Sequence, residues 1–212
     1  WCLFKKLGAE EALREAIFTV QGVLTDFQLP PMEKIPNMHS SKYHFLRQSV
    51  TVSELDTPFF NNAVSAVNKI YGMFNHAFTQ GALGPWNLTE TDGPSIEASN
   101  QYFTPSRPGL HLESVPFQEN VDPSGVLAKM LALSGARCVH TNDNEVEYCR
   151  GFRELDGKYR FEVCRLQSFR KGDIVELQLS FVVIALKEDP QKGKRCKLLV
   201  VLRSMALVRH TD

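Results

Sequence analysis

No segment constrains the fold more than GDIVELQLSFVVIAL, residues 172–186. Val175, Leu177, Leu179, Phe181, Val183 and Ala185 alternate with Glu176, Gln178 and Ser180. Only an extended strand turns a period of two into one oily side. The opposite side becomes apolar again at Val182 and Ile184. The spacing therefore predicts a strand covered on one side in its first half and on both in its second. Gly172-Asp173 supplies the sharp turn that starts it. Burying six such side chains contributes on the order of 10 kcal/mol gross, before chain entropy is subtracted. That is sufficient reason for the motif without a ligand.

The surroundings extend the pattern. The charged turn KEDPQKGKRCK, residues 187–197, leads into KLLVVLRSMALV, a second long strand. Upstream, CVHTNDNEVEYC (138–149) reads as strand, polar turn, strand. FRELDGKYRFEV (152–163) does the same around Asp156-Gly157, a hairpin dipeptide. Short connections between consecutive strands predict an antiparallel meander over residues 136–209.

The first third predicts helices. Leu13, Ile17, Val20, Leu24 and Phe27 recur in steps of three and four, with Glu10 and Glu11 at the start and Pro30-Pro31 as the stop. A second helix follows Pro58, capped by Asp56 or Thr57 and ended by Gly81, with Phe60, Val64, Val67, Tyr71, Phe74 and Phe78 on one face. A short helix over 123–134 has Asp122 as its cap. Between these, Pro and Gly predict loop, with extended pieces at Tyr102–Thr104 and His111–Val115. The expected fold is α+β: N-terminal helices plus a short helix packed on a C-terminal antiparallel meander. The expected regions are 1–81 helical, 82–121 loop-rich and 122–212 β-rich, which can form one domain together.

The pattern F-x-x-GDIVE-x-Q-x-SF, with LRSMALV, VDPSGVL and YRFEVCRLQSF, resembles the C-terminal segments of uncharacterised proteins found in many copies in mushroom-forming fungi. The resemblance spans roughly residues 120–208. It implies a fungal origin and a shared β-rich unit, and it carries no activity.

Composition narrows the function classes. Lys+Arg and Asp+Glu each total 24, so no global field favours nucleic acid or an anionic membrane. The distribution is uneven: residues 82–147 hold 3 basic against 9 acidic side chains, and residues 148–212 hold 14 against 8. Internal pairing of the two segments is the plain expectation, and a polyanion on the basic third is the alternative. Cys2, Cys138, Cys149, Cys164 and Cys196 include no Cys-x-x-Cys pair, which predicts reduced thiols in a cytoplasmic or nuclear protein. Asn87-Leu88-Thr89 fits a glycosylation triplet, with nothing else to suggest secretion. No apolar run approaches the roughly 20 residues that span a bilayer, so no membrane partner is expected.

Catalytic motifs are missing. There is no phosphate loop, no dinucleotide fingerprint and no G-x-S-x-G elbow, and no cofactor is implied. The nearest metal set is His111 and Glu113, on one side of an extended segment, joined by His140 or His210. Cys138 and His140, two apart on a strand, form the only thiol–imidazole candidate. Glu145 and Glu147 share a strand face but read as solvated. Nucleic acid has the better basis. Arg150, Arg153, Lys158, Arg160, Arg165, Arg170 and Lys171 interleave with Phe152, Tyr159, Phe161 and Phe169. Lys192, Lys194, Arg195 and Lys197 add a basic turn. Alternation puts Tyr159, Phe161 and Val163 opposite Lys158, Arg160 and Glu162, so the rings are expected in the core and the cations in water, touching phosphate rather than stacking bases. The leading expectation is a non-catalytic binding or assembly module, contacting protein or nucleic acid through this basic sheet. An enzyme of unrecognised type, with a metal on the His-x-Glu pair, is the alternative.

Overall fold

The structure, a computed structural model, describes residues 1–5, 13–54, 58–86, 93–109, 111–153, 159–186 and 194–209. Its strands are β1 (Phe4–Lys5), β2 (Arg14–Glu15), β3 (Phe18–Gln28), β4 (Arg47–Ser53), β5 (Ser95–Gln101), β6 (Thr104–Pro105), β7 (Cys138–Val139), β8 (Glu147–Arg153), β9 (Tyr159–Val163), β10 (Ile174–Ala185) and β11 (Cys196–Arg209). The α-helices are α1 (Pro58–Ala77) and α2 (Val126–Leu133).

β10 and β11 form the long antiparallel hairpin that the alternation predicts, running from Ile174↔Arg209 to Ala185↔Cys196. The turn before it is also as expected. Gly172 takes φ 98°, and the Asp173 carboxylate accepts the Arg170 N–H at 2.7 Å. What the hairpin pairs with is different. The other edge of β10 pairs antiparallel with β3, β3 with β4, and β4 with β5. β5 then returns to β11 through a parallel contact at Val201↔Ser99. The order β3-β4-β5-β11-β10 thus closes on itself. A five-stranded Greek-key barrel, with its first strand beside its fourth and its third beside its fifth, is an OB-type barrel.

This closure overturns the α+β expectation. The protein is mostly β, and its seven-stranded sheet is mixed, not an antiparallel meander on N-terminal helices. Residues 18–28, read as helix, are the barrel strand β3: Val20 and Leu24 are buried inward, whereas Leu13 and Ile17 of the supposed helical face lie exposed. Pairing on both edges, by β10 and β4, outweighs a helical spacing that Thr19, Val23 and Thr25 support poorly. The strand 138–139 pairs with Thr104–Pro105 and not with its neighbour in sequence. Ser95–Gln101, read as loop, is another barrel strand. The barrel takes strands from all three expected regions.

α1 matches its predicted face, with Phe60, Val64, Val67 and Phe74 buried. It seats on β3 because Gly22 has no side chain: a Cβ there would lie 2.9 Å from the Ser53 carbonyl oxygen and 3.1 Å from the Phe60 ring. α2 begins at Val126, and the Asp122 carboxylate caps it, accepting the N–H groups of Leu127 and Ala128 at 3.0 and 2.8 Å. The expected caps Asp56 and Thr57, the Asn87-Leu88-Thr89 triplet, the turn Asp156-Gly157, Lys158, Lys192 and His210 lie outside the described residues.

Two polar features fix the barrel. At one end Gln48 and Asn100, cross-strand partners, point inward. The Tyr148 hydroxyl donates to Gln48 Oε1 at 2.8 Å, and Gln48 Nε2 donates to the Asn144 carbonyl at 3.3 Å. Asn100 Nδ2 donates to the carbonyls of Leu202 and Asp143. Burial pushes the Tyr148 phenol well above its ordinary pKa, so it stays a donor. On the outer side, Ser180 is fully buried beneath an ion pair. Arg203 donates to Ser180 Oγ at 3.1 Å and to Glu15 Oε1 at 2.6 Å. The second half of β10 is thus not covered on both sides, since Ile184 is 39% exposed. Two cations of the basic end pair outside the acidic middle. Arg203 and Lys171 engage Glu15 and Asp26, acids of the first third rather than the acidic middle.

Beyond the barrel, the sheet continues. β8 runs parallel to β11, from Ser204↔Glu147 to Leu207↔Arg150, and β9 pairs antiparallel with β8. The β8–β9 hairpin is an arm on the barrel wall, and β9 is its outer edge.

Candidate nucleic-acid interface

The outer wall of the barrel carries a polar groove. In RQSVTVS and SIEASNQ the residues Gln48, Val50, Val52, Ile96, Ala98 and Asn100 point inward. Alternation sends Arg47, Ser49, Thr51, Ser95, Glu97 and Ser99 outward. On β11, Lys197 and Leu199 share that outer side. The segment before residue 87 is tied across the start of β11. Gly84 N–H donates to the Cys196 carbonyl at 2.9 Å, and Cys196 N–H donates to the Ala82 carbonyl at 2.7 Å. Buried Leu83 anchors the segment, which brings Pro85 and half-buried Trp86 to the wall. The result is a groove of about 250 Å³ in which Arg47, Trp86, Lys197, Ser95, Ser99 and Glu97 line one surface. It lies on the third and fifth strands of the barrel, β5 and β11, with Arg47 reaching it from the second, β4. Exposed Lys194 and half-buried Arg195, from the basic turn of the sequence, immediately precede β11.

The arm holds the rest of the expected basic surface, arranged otherwise than expected. Phe161 is 46% exposed and Val163 77% exposed, although the alternation placed both in the core. The alternation itself holds. Tyr148 of β8 points into the barrel, so Phe161 and Val163, on the opposite side of the arm, face outward, and nothing among the described residues lies over them. Phe152 is also bare, and the Arg150 guanidinium lies 5.5 Å from its ring centroid, a cation–π contact. Arg160, cross-strand partner of Phe152, is exposed as well. Of Arg153 only the backbone is described. Rings and cations therefore share the arm surface instead of dividing between core and solvent.

The other candidates are placed apart. His111 and Glu113 are exposed on the loop before α2, whereas His140 is 3% exposed. The His140 Nδ1–H donates to the Tyr102 carbonyl at 2.9 Å, and its ring stacks on Phe117 at 3.9 Å. Burial lowers its pKa, which favours the neutral imidazole. Among the described residues no three His, Cys, Asp or Glu side chains are grouped to hold a metal ion. Burial raises the Cys138 thiol, which opposes a thiolate there. The cysteines are free thiols. No helix of the described residues is long and apolar enough to cross a membrane.

Sequence reasoning missed Arg47 and Trp86. The available signal was the polar alternation of 47–53 and 95–101, which marks two one-sided strands, but nothing in it says that Trp86 is folded onto them.

No family model matches the chain, and no curated protein matches it. Among solved structures it is similar to gp2.5, a single-stranded DNA binding protein encoded by bacteriophage T7, with 13% identity and a TM-score of 0.40, over 93% of this chain and 88% of that one.

Proposed function

We propose that this chain is a binding module for single-stranded nucleic acid, with the groove of β4, β5 and β11 as its main contact. One observation carries the reading: an aromatic ring and two cations, Trp86, Arg47 and Lys197, line one open groove on the barrel wall. Single strands are held by stacking bases on such rings while basic side chains follow the phosphates. Ser95 and Ser99 offer hydroxyls, and Glu97 accepts from base amino groups or sugar hydroxyls. The arm cations Arg150 and Arg160, with Lys194 and Arg195, extend the electrostatic attraction.

Fluorescence anisotropy of a labelled single-stranded oligonucleotide, DNA and RNA in parallel, tests this over a salt series. Binding is expected to weaken with salt, and Arg47→Gln with Lys197→Gln reduces the slope of log K against log salt by about 0.7 per lost phosphate contact. Trp86→Ala costs about 1–3 kcal/mol with little change in slope. Affinity that is absent, or untouched by these substitutions, rejects the proposal.

A further inference from the structure

We propose that β9 is an interface between two copies of this chain, which join their sheets edge to edge across a two-fold axis at Phe161. The edge is open: β9 pairs with β8 on one side, and the described residues supply no strand on the other. An unpaired edge offers a row of backbone donors and acceptors to another strand.

The direction of those groups follows from one bond. Cys164 N–H donates to the Tyr148 carbonyl at 3.0 Å. Because hydrogen-bonded pairs alternate along an antiparallel ladder, Glu162 and Arg160 also turn their backbone groups toward β8. Tyr159, Phe161 and Val163 turn theirs toward the open edge. A second β9 running antiparallel finds matching groups there, with Phe161 facing its own copy as a hydrogen-bonded pair.

The side chains select this register. With Phe161 opposite Phe161 of the second copy, Arg160 of each chain lies opposite Glu162 of the other, twice by symmetry. Moving the axis to residue 160 sets Arg160 against Arg160, and moving it to 162 sets Glu162 against Glu162. Opposite charges directly across a ladder stabilise it and like charges oppose it. Arg160, Phe161, Glu162 and Val163 are all exposed, so the pairing displaces no core contact. It brings Phe161 against its copy, and Val163 moves beside the second β9, covering apolar surface that no described residue covers in one chain. The contact is isologous and closes at two copies. The groove on the first half of β11 stays outside it, separated by β8, and remains open in the dimer, whereas the arm cation Arg160 lies within the contact.

Light scattering after size exclusion, with the chain at about 100 μM, is expected to give twice the 24.0 kDa chain mass. Arg160→Glu and Glu162→Arg, each alone, place like charges across the axis and raise the dimer dissociation constant roughly tenfold or more. The double variant, with the charges exchanged, recovers the original value. In a Cys149→Ser background, Phe161→Cys is expected to form a covalent dimer on mild oxidation. The Cα atoms of such a pair sit about 5.5 Å apart, within disulfide reach. Val163→Cys, off the axis, is expected not to cross-link to itself. A monomeric parent chain overturns the proposal, as does a dimer indifferent to the single charge reversals or unrepaired by the exchange. Circular dichroism of each variant distinguishes a lost interface from a lost fold, and the Phe161→Cys cross-link tests the register without altering charge.

Discussion

The barrel and the arm are built from the same kind of strand and end in different states. In the barrel every strand has a neighbour on each edge, and inward residues such as Leu24, Val52, Ile96 and Leu177 are completely buried. In the arm the same alternation sorts side chains to two sides, but Phe152, Phe161 and Val163 stay 41%, 46% and 77% exposed. A period of two says which residues point the same way. Whether that side is core or surface depends on what lies over it.

The comparison breaks first if the interior of the barrel is dispensable. Leu202→Ala, at a fully buried site, is expected to lower stability by about 2–5 kcal/mol, measured as a urea midpoint shift at unchanged slope. A loss below about 1 kcal/mol would show that the wall yields where it is held here to be rigid. Next is the polar end of the barrel. Tyr148→Phe removes the donor to buried Gln48 and is expected to cost about 1–3 kcal/mol. A neutral result would mean another donor reaches Gln48 Oε1.

A smaller effect follows from pH. Burial by itself raises the Glu15 carboxyl, but the Arg203 hydrogen bond and charge outweigh it, and the pKa lies below the ordinary 4.5. A carboxyl depressed in the folded state adds stability that is present above its unfolded pKa and is lost as pH falls through the folded one. Denaturation of the parent chain between about pH 5 and about pH 3 should show that loss, and Glu15→Gln should reduce it. Equal slopes in both proteins would remove Glu15 from the account. Smallest of all, Val163→Thr on the arm is expected to change the thermal stability of the monomer by under about 0.5 kcal/mol. A drop as large as that of Leu202→Ala would mean the arm is covered after all.

Much of the fold is legible in the residues, unevenly. The β10–β11 hairpin, the Gly172-Asp173 turn, the buried face of α1 and the capping by Asp122 all come from local rules, because each depends on neighbours close in the chain. β3 is not legible locally because Leu13, Ile17, Val20, Leu24 and Phe27 fit a helical spacing, and only the distant strands β10 and β4 make residues 18–28 extended. β5 is not legible locally because SIEASNQ contributes only Ile96 and Ala98 to the apolar core. Of the candidate site, the basic residues of the arm were visible in the sequence. The groove was not, since Arg47, Trp86 and Lys197 meet only once three separate segments lie side by side.

The order of residues alone determined where the chain alternates, where it turns and which side chains travel together on a strand. Tertiary structure decided that five of those strands close into a barrel and that two others, β8 and β9, hang from β11 as an arm with an open outer edge among the described residues. The physical reason is range. Alternation and capping act over a few residues, whereas closure depends on hydrogen bonds between strands more than a hundred positions apart, such as Val20 with Leu177 and Ser99 with Val201.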